Sequence, residues 1–249
     1  MRWLLLPAVA IGLALSASAC RKPDEGATKV VVIGETPKLA DPGAGPLAKA
    51  DAILLANVAQ GLVRFDARGE IEPGLAETWN VSDDGLSYIF RIANTEWQPG
   101  GGRVTAQQVA RILRRSLARS SRNAIKDTLG AVEEVVAMTD RGIEIRLRTP
   151  RPNLLQLLAQ PELALVRNGN GTGPFHIDAR RREQGRLRLA RTVPIPDEEE
   201  EAQDEVALGA ASAEEAVRRF AAGEADMVLG GRFADLPFAR AARLPRTAL

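Results

Sequence analysis

Residues able to do chemistry are few in this chain, and their spacing argues against most of what they could do. There is one histidine, His176, and one cysteine, Cys20. A nucleophile–histidine relay needs a correctly placed base, and a zinc centre of Cys/His type needs several such ligands, so this set supports neither. His176 stands in a strand-like stretch behind Pro174, where a structural role is expected. Gly169, Gly171 and Gly173 have the density of a phosphate loop, but not the G-x-G-x-x-G spacing. Pro174 and a strand pattern follow them where a helix N-terminus would have to face the anion. The acidic run 197–201, with Asp204 and Glu205 behind it, lacks the glycine and asparagine spacing of a calcium loop and reads as a surface loop. Arg111, Arg114, Arg115 and Arg119 fall on one face of a predicted helix. Such a face could meet phosphates; the balance of 33 basic against 32 acidic residues favours a solvated one. The same near-zero net charge, with aromatics at 4%, sets nucleic acid aside as a main partner. No cofactor, metal or catalytic activity is expected.

The elements that must carry any site begin after an N-terminal segment of another kind. Arg2 precedes a mostly apolar run over 3–15, shorter than the roughly 20 residues that cross a membrane, and small residues lead to Cys20. This reads as an export signal over 1–19. Cys20 is either the lipidated residue of a bacterial lipoprotein or an incidental neighbour of an Ala17-Ser18-Ala19 cleavage site; lipidation is favoured because exported proteins rarely keep one unpaired thiol. Residues 20–28 then read as a polar tether, and 29–249 as the folded part.

Residues 29–34 form a β-branched run, read as a buried strand, and 36–46, with three prolines and two glycines, as irregular. A helix is expected over 51–60, with Ile53, Leu54, Asn57 and Val58 on one face and Gly61 ending it. Short strands follow to residue 92, with turns at 67–69 and 83–85. Tyr88, Phe90 and Ile92 point to one side of the last of them. Thr105 and Gln108 form a capping box opening a helix with Val109, Ile112, Leu113 and Leu117 inward. Residues 132–137 and 143–148 read as a hairpin, 153–159 as a Leu-rich helix, and 175–178 and 187–189 as strands flanking a basic loop. Ser212 and Glu215 make a second capping box, with Ala216, Val217 and Phe220 inward, Gly223 at the helix end and a strand over 226–229.

Several of these stretches, in order, resemble the extracytoplasmic solute-binding proteins of family 5, which serve peptide-type ABC transporters. Leu39-Ala40-Asp41-Pro42 is similar to the family's L-D-P, and 60–66 (QGLVRFD) to its E-G-L-v-x-y-D. Residues 73–79 (PGLAETW) resemble P-G-L-A-E-S-W, and the similarity continues over 81–90. Trp97 with Thr105-Ala106, then 171–175 (GTGPF) and 223–226 (GEAD), complete the collinear set. The chain departs at 97–102 (WQPGGG), which lacks the family's aspartate, at Gln108, where an acid is usual, and at the acidic run near 197 in place of a Tyr-Trp segment.

This resemblance implies an α/β fold, a lobe of a periplasmic-binding-protein-like clamshell of type II, with mixed sheets and flanking helices, incomplete at the C-terminus because the family continues through a second lobe. It implies an extracytoplasmic receptor, in the periplasm or at the cell surface, that takes a peptide ligand and hands it to ABC permease subunits. The membrane is met through the lipid on Cys20. A shortened homologue acting as a surface interaction module is the rival reading. By position, the loop Gly43, Ala44, Gly45, Pro46, Leu47 and Ala48 lines the cleft and offers main-chain groups; equally, its glycines simply permit a turn. Trp79 and Trp97 read as core, and the 171–175 glycines as serving backbone geometry.

Overall fold

The computed structural model describes residues 26–178, 185–194 and 201–242. The export segment, Cys20, the basic loop 179–184 and the acidic residues 197–200 lie outside them.

The first strand, β1 (Thr28–Ile33), begins one residue ahead of the boundary read from the sequence, and Ala27 before it is already buried. Its unbroken β-branched run is explained by its place. Val30 and Val32 face one apolar cluster, with Leu54, Val58 and Leu208. Val31 faces the opposite one, with Ala216 and Ala225. A strand covered on both faces has no solvent side to be polar. It is also paired on both edges, parallel to β10 (Glu201–Ala211) and to β11 (Met227–Leu229). Antiparallel strands β9 (Arg186–Pro194) and β8 (His176–Ile177) complete a sheet in the order β11-β1-β10-β9-β8.

Helix α1 (Lys49–Val58) covers one face of this sheet, burying Ala50, Asp51, Leu54, Leu55 and Val58. The expected face was Ile53, Leu54, Asn57 and Val58, and Ile53 and Asn57 are only half-buried. Helix α4 (Ala213–Ala221) covers the other face, and Gly223 at φ 70° follows its end. A short helix α5 (Leu236–Ala241) packs beside α4.

Between α1 and β8 the chain builds a second unit. Strands β2 (Val63–Phe65) and β3 (Ile71–Pro73) pair as a small ribbon. Strands β4 (Ala76–Val81), β5 (Ser87–Ile92), β6 (Val132–Ala137) and β7 (Gly142–Leu147) form an antiparallel sheet in the order β4-β5-β7-β6. Tyr88, Phe90 and Ile92 are buried while Ile89 and Arg91 are exposed, as period two requires. Helix α2 (Ala106–Leu117) lays Val109, Ala110 and Leu113 into the same core, and α3 (Leu154–Leu158) adds Leu154 and Leu158.

The α2 cap is the box expected. Thr105 Oγ1 accepts from the Gln108 N–H at 3.3 Å, and Gln108 Oε1 accepts from the Thr105 N–H at 3.2 Å. The second box is only half made. Ser212 Oγ accepts from the Glu215 N–H at 3.3 Å, but the Glu215 carboxylate turns away to Arg218 and Arg219, each at 2.7 Å. Replacing Thr105 or Ser212 by Ala is expected to cost about 1 kcal/mol each, the usual loss of an N-cap, read from urea midpoints. Unchanged midpoints for both variants would contradict these helix starts.

Hydrogen bonds from Arg218, then Arg219, hold the Glu215 carboxyl at about 2, below its ordinary 4.5. A folded-state value below the unfolded one contributes stability above pH 4.5 that is lost as pH falls toward 2. The melting-temperature gap between the parent and Glu215→Gln should therefore be full at pH 6 and closed near pH 2. A gap independent of pH would show that the carboxylate charge is not what the arginines hold.

Three expectations are corrected. Gly61 does not end α1, which stops at Val58; it is small because a Cβ there would sit 2.3 Å from the Leu158 carbonyl oxygen. The acidic residues Glu201, Asp204 and Glu205 are in strand β10 and not in a loop. The charge of the last two is met across the ladder, where Asp204 pairs with Arg191 at 2.7 Å and Glu205 with buried Arg188 at 3.7 Å. The stretch 36–46 contains one tight helical turn, Pro42–Ala44.

Two connections join the sheets, and they run side by side. The outgoing chain near 57–60 accepts from the returning one, Gly173 N–H to Val58 O at 3.1 Å and Phe175 N–H to Asn57 O at 3.1 Å. The Gln60 side-chain amide donates to Thr172 O at 2.7 Å. Contact this close is possible only without side chains: a Cβ on Gly171 would lie 2.1 Å from Val58 O, and one on Gly173 2.4 Å from Asn57 O. The glycines of 171–175 thus serve backbone geometry, and Phe175 is delivered into the core of the five-stranded sheet under the Arg191 guanidinium, 4.7 Å from its ring centre.

Candidate functional site

The loop expected to line a cleft is built from short-range constraints. Asp41 Oδ1 accepts from the Gly43 N–H at 2.9 Å and the Asp41 carbonyl from the Ala44 N–H at 2.9 Å, which closes the tight turn. Gly45 follows at φ 155°, and Leu47 packs beside Leu55, Ala59 and Ala164. Ala48 opens α1, its carbonyl accepting from the Ala52 N–H. Buried Asp51 accepts from the Lys38 N–H at 2.9 Å, so the approach to the loop is pinned to the helix that leaves it.

The loop is also held from the second unit. Gly43 O accepts from the Arg122 N–H at 3.1 Å, and Arg115 Nη2 lies 3.4 Å from Asp41 Oδ2. Asn123, buried, donates from Nδ2 to Glu162 O at 2.6 Å and accepts at Oδ1 from the Ile125 N–H. Ser121 Oγ accepts from the Asn123 N–H at 3.1 Å. The stretch 121–123 therefore ties the loop at 43–48 to the turn Pro161–Leu163, which also touches the Pro42–Ala44 turn. Sequence reading missed Ser121 and Asn123; the cluster of small polar residues after the α2 pattern was their only signal.

Within the loop Ala44, Pro46 and Ala48 are exposed, and Gly43, Gly45 and Leu47 half-buried. The N–H groups of Gly45 and Leu47 meet no acceptor among the described residues. The loop is thus held by bonds on both sides and keeps two main-chain donors unpaired among the described residues. Trp97 is fully buried and Trp79 half-buried against the same core, so neither is a platform for a ligand.

The profile of the bacterial extracellular solute-binding proteins, family 5 Middle, matches residues 70–244. The chain belongs to this family. The family 5 assignment rests on a stretch that takes in the four-stranded sheet and most of the five-stranded one. Among curated relatives, the dipeptide-binding protein DppE of Bacillus subtilis is 30% identical over 127 residues, which cover 43% of this chain and 22% of the relative. Among solved structures, the periplasmic binding protein AgaA of Agrobacterium tumefaciens R10, in complex with agropinic acid, aligns with a TM-score of 0.68 at 23% identity. It covers 82% of this chain, which spans 43% of AgaA. Haemophilus influenzae OppA in complex with RPPGFSPFR aligns with a TM-score of 0.69 at 20% identity, covering 84% of this chain and 48% of that one. These solved structures have the type II binding-protein fold, and the mixed α/β architecture here is part of it. The chain spans about a fifth of the length of the curated relative and less than half of the solved structures.

Proposed function

We propose that this chain is part of the substrate-binding component of a peptide-type ABC importer, capturing peptides outside the cytoplasm and passing them to a permease. The observation that carries the reading is family 5 membership over 70–244. It is supported by a relative named for dipeptide binding and by a structural neighbour solved with the peptide RPPGFSPFR. Residues 1–19 direct export, and Cys20 becomes the lipidated N-terminus after cleavage, joined to the fold by a short tether.

In this reading the loop Gly43, Ala44, Gly45, Pro46, Leu47 and Ala48 lies along the peptide backbone. The free N–H groups of Gly45 and Leu47 match the carbonyls of an extended chain, so recognition there is independent of side-chain identity. The test is titration of the chain with RPPGFSPFR and a mixed dipeptide pool, followed by amide hydrogen exchange. Weak binding with slowed exchange at Gly45 and Leu47 is expected, because the chain spans less than half of the solved structures and a two-lobed receptor draws its affinity from both lobes. Protection elsewhere would move the ligand off this loop, and protection nowhere by any peptide would overturn the peptide reading. Intact mass of membrane-extracted protein should show loss of 1–19 and a diacylglyceryl adduct on Cys20; unmodified soluble protein would remove the anchor.

A further inference from the structure

The four arginines on the basic face of α2 are all exposed, as expected of a solvated face, but two of them border a pocket. Arg111 and Arg115, one helical turn apart, line a pocket of about 330 Å³ together with Gln108, Arg167 and Asn168. Arg167 reaches it from a different segment, beyond α3. Arg167 and Asn170 exchange main-chain hydrogen bonds at 2.9 Å around Asn168 and Gly169, at φ 52° and 76°, a tight two-residue turn that fixes where Arg167 starts. Its Nη1 donates to Gly101 O at 3.1 Å, which aims the rest of the guanidinium.

Gln108 supplies the deciding detail. Its Oε1 accepts from Trp97 Nε1 at 2.8 Å and from the Thr105 N–H at 3.2 Å. Both partners are donors, so the oxygen must face them, and the NH2 end is turned the other way. That amide makes no hydrogen bond among the described residues. No carboxylate lines the pocket. Among the described residues the one acid within 4 Å of these three arginines is Asp41, 3.4 Å from Arg115 and outside the lining. Three arginines and a fixed amide thus line one pocket whose lining holds no acid. Like charges one turn apart on a helix repel, and the arrangement is relieved by an acceptor-rich ligand.

We infer that this pocket binds a compact, multiply charged oxyanion, phosphate or polycarboxylate in chemistry, at a site separate from the loop 43–48. The guanidinium fork suits two-point contact with either group. The inference does not rest on the peptide reading, which uses main-chain groups of the loop; the two share only Arg115, which also pairs with Asp41.

The experiment is calorimetric titration of the full chain with inorganic phosphate and, in a second arm, citrate, with sodium chloride at matched ionic strength as the reference. Variants Arg111→Gln and Arg119→Gln are compared. Arg111 has no partner among the described residues, so its loss leaves the fold intact, and exposed Arg119 lies outside the pocket. Saturable one-site binding is expected, weakened about tenfold or more by Arg111→Gln and unchanged by Arg119→Gln. The stronger of the two arms names the oxyanion. Heats equal to those of chloride, or equal weakening by both variants, would overturn the site and leave only general attraction to a basic surface.

Discussion

Trp97→Ala should lower the unfolding free energy by about 3–5 kcal/mol, the range for truncating a fully buried aromatic side chain. Trp97 has no exposed surface and sits in the core of the four-stranded sheet. Its indole is also joined to the start of α2, because Gln108 Oε1 takes one hydrogen bond from the ring and one from the cap residue. Removing the ring leaves a cavity and releases the side chain that closes the capping box. Against a typical total of roughly 5–15 kcal/mol, the loss is a large share. Trp97→Phe separates the two contributions, since it keeps most of the apolar volume and removes the donor; its cost should be about 1–2 kcal/mol beyond the volume difference. Urea unfolding followed by circular dichroism measures both. Equal costs for the two variants would mean that the hydrogen bond, and not the packing, is what the position supplies.

Gly171→Ala should be nearly as damaging, for a different reason. A methyl group there meets Val58 O at 2.1 Å and the Ala59 Cα at 2.8 Å. Both are backbone atoms of the neighbouring connection, so no side chain can swing aside. The two connections must separate, and the pairs of Gln98 with Gly171 and of Gly173 with Val58 are lost or stretched. Overpacking of this kind costs about 1–3 kcal/mol and occasionally more, and the upper end is expected, a fall of about 6–12 °C in melting temperature for a chain of this size. Gly169→Ala is the control. Its backbone is left-handed at φ 76° but a Cβ there meets nothing within 4 Å, so only local strain of about 1 kcal/mol applies. Equal losses at the two positions would show that conformation alone, and not close approach, requires glycine at 171.

What could be read from the chain was whatever neighbours in sequence decide. The alternation of Tyr88, Phe90 and Ile92, the Thr105–Gln108 box and the hairpin around 140–142 each depend on a few consecutive residues, and each is in place. A run of acids has no strand signature by itself, so Glu201, Asp204 and Glu205 look like a loop in the sequence. Their fit to the ladder comes from Arg188 and Arg191 on the strand opposite, a complement visible only once register is known. The same holds at the candidate site. The glycines and proline of 43–48 mark an irregular stretch, but its anchoring by Arg122 and by the Ser121–Asn123 pair is tertiary, as is the meeting of Arg167 with Arg111 and Arg115. A helix face could be drawn from the sequence; what stands opposite it could not.

The position of β1 sets an order of events during folding. It is the first strand of the five-stranded sheet to be synthesised, yet both its neighbours, β10 and β11, come from the other end of the chain. The Lys29 N–H bonds the Asp226 carboxylate 197 residues away. The hairpins of the four-stranded sheet close short loops and can form while synthesis is still under way. The five-stranded sheet waits for residues near 206–229 to arrive, and closing so long a loop slows it further. Until then β1, apolar on both faces, is an unpaired edge in search of a partner. The early strand is therefore the segment with most need of a chaperone, and the interval before β10 appears is when that need is greatest.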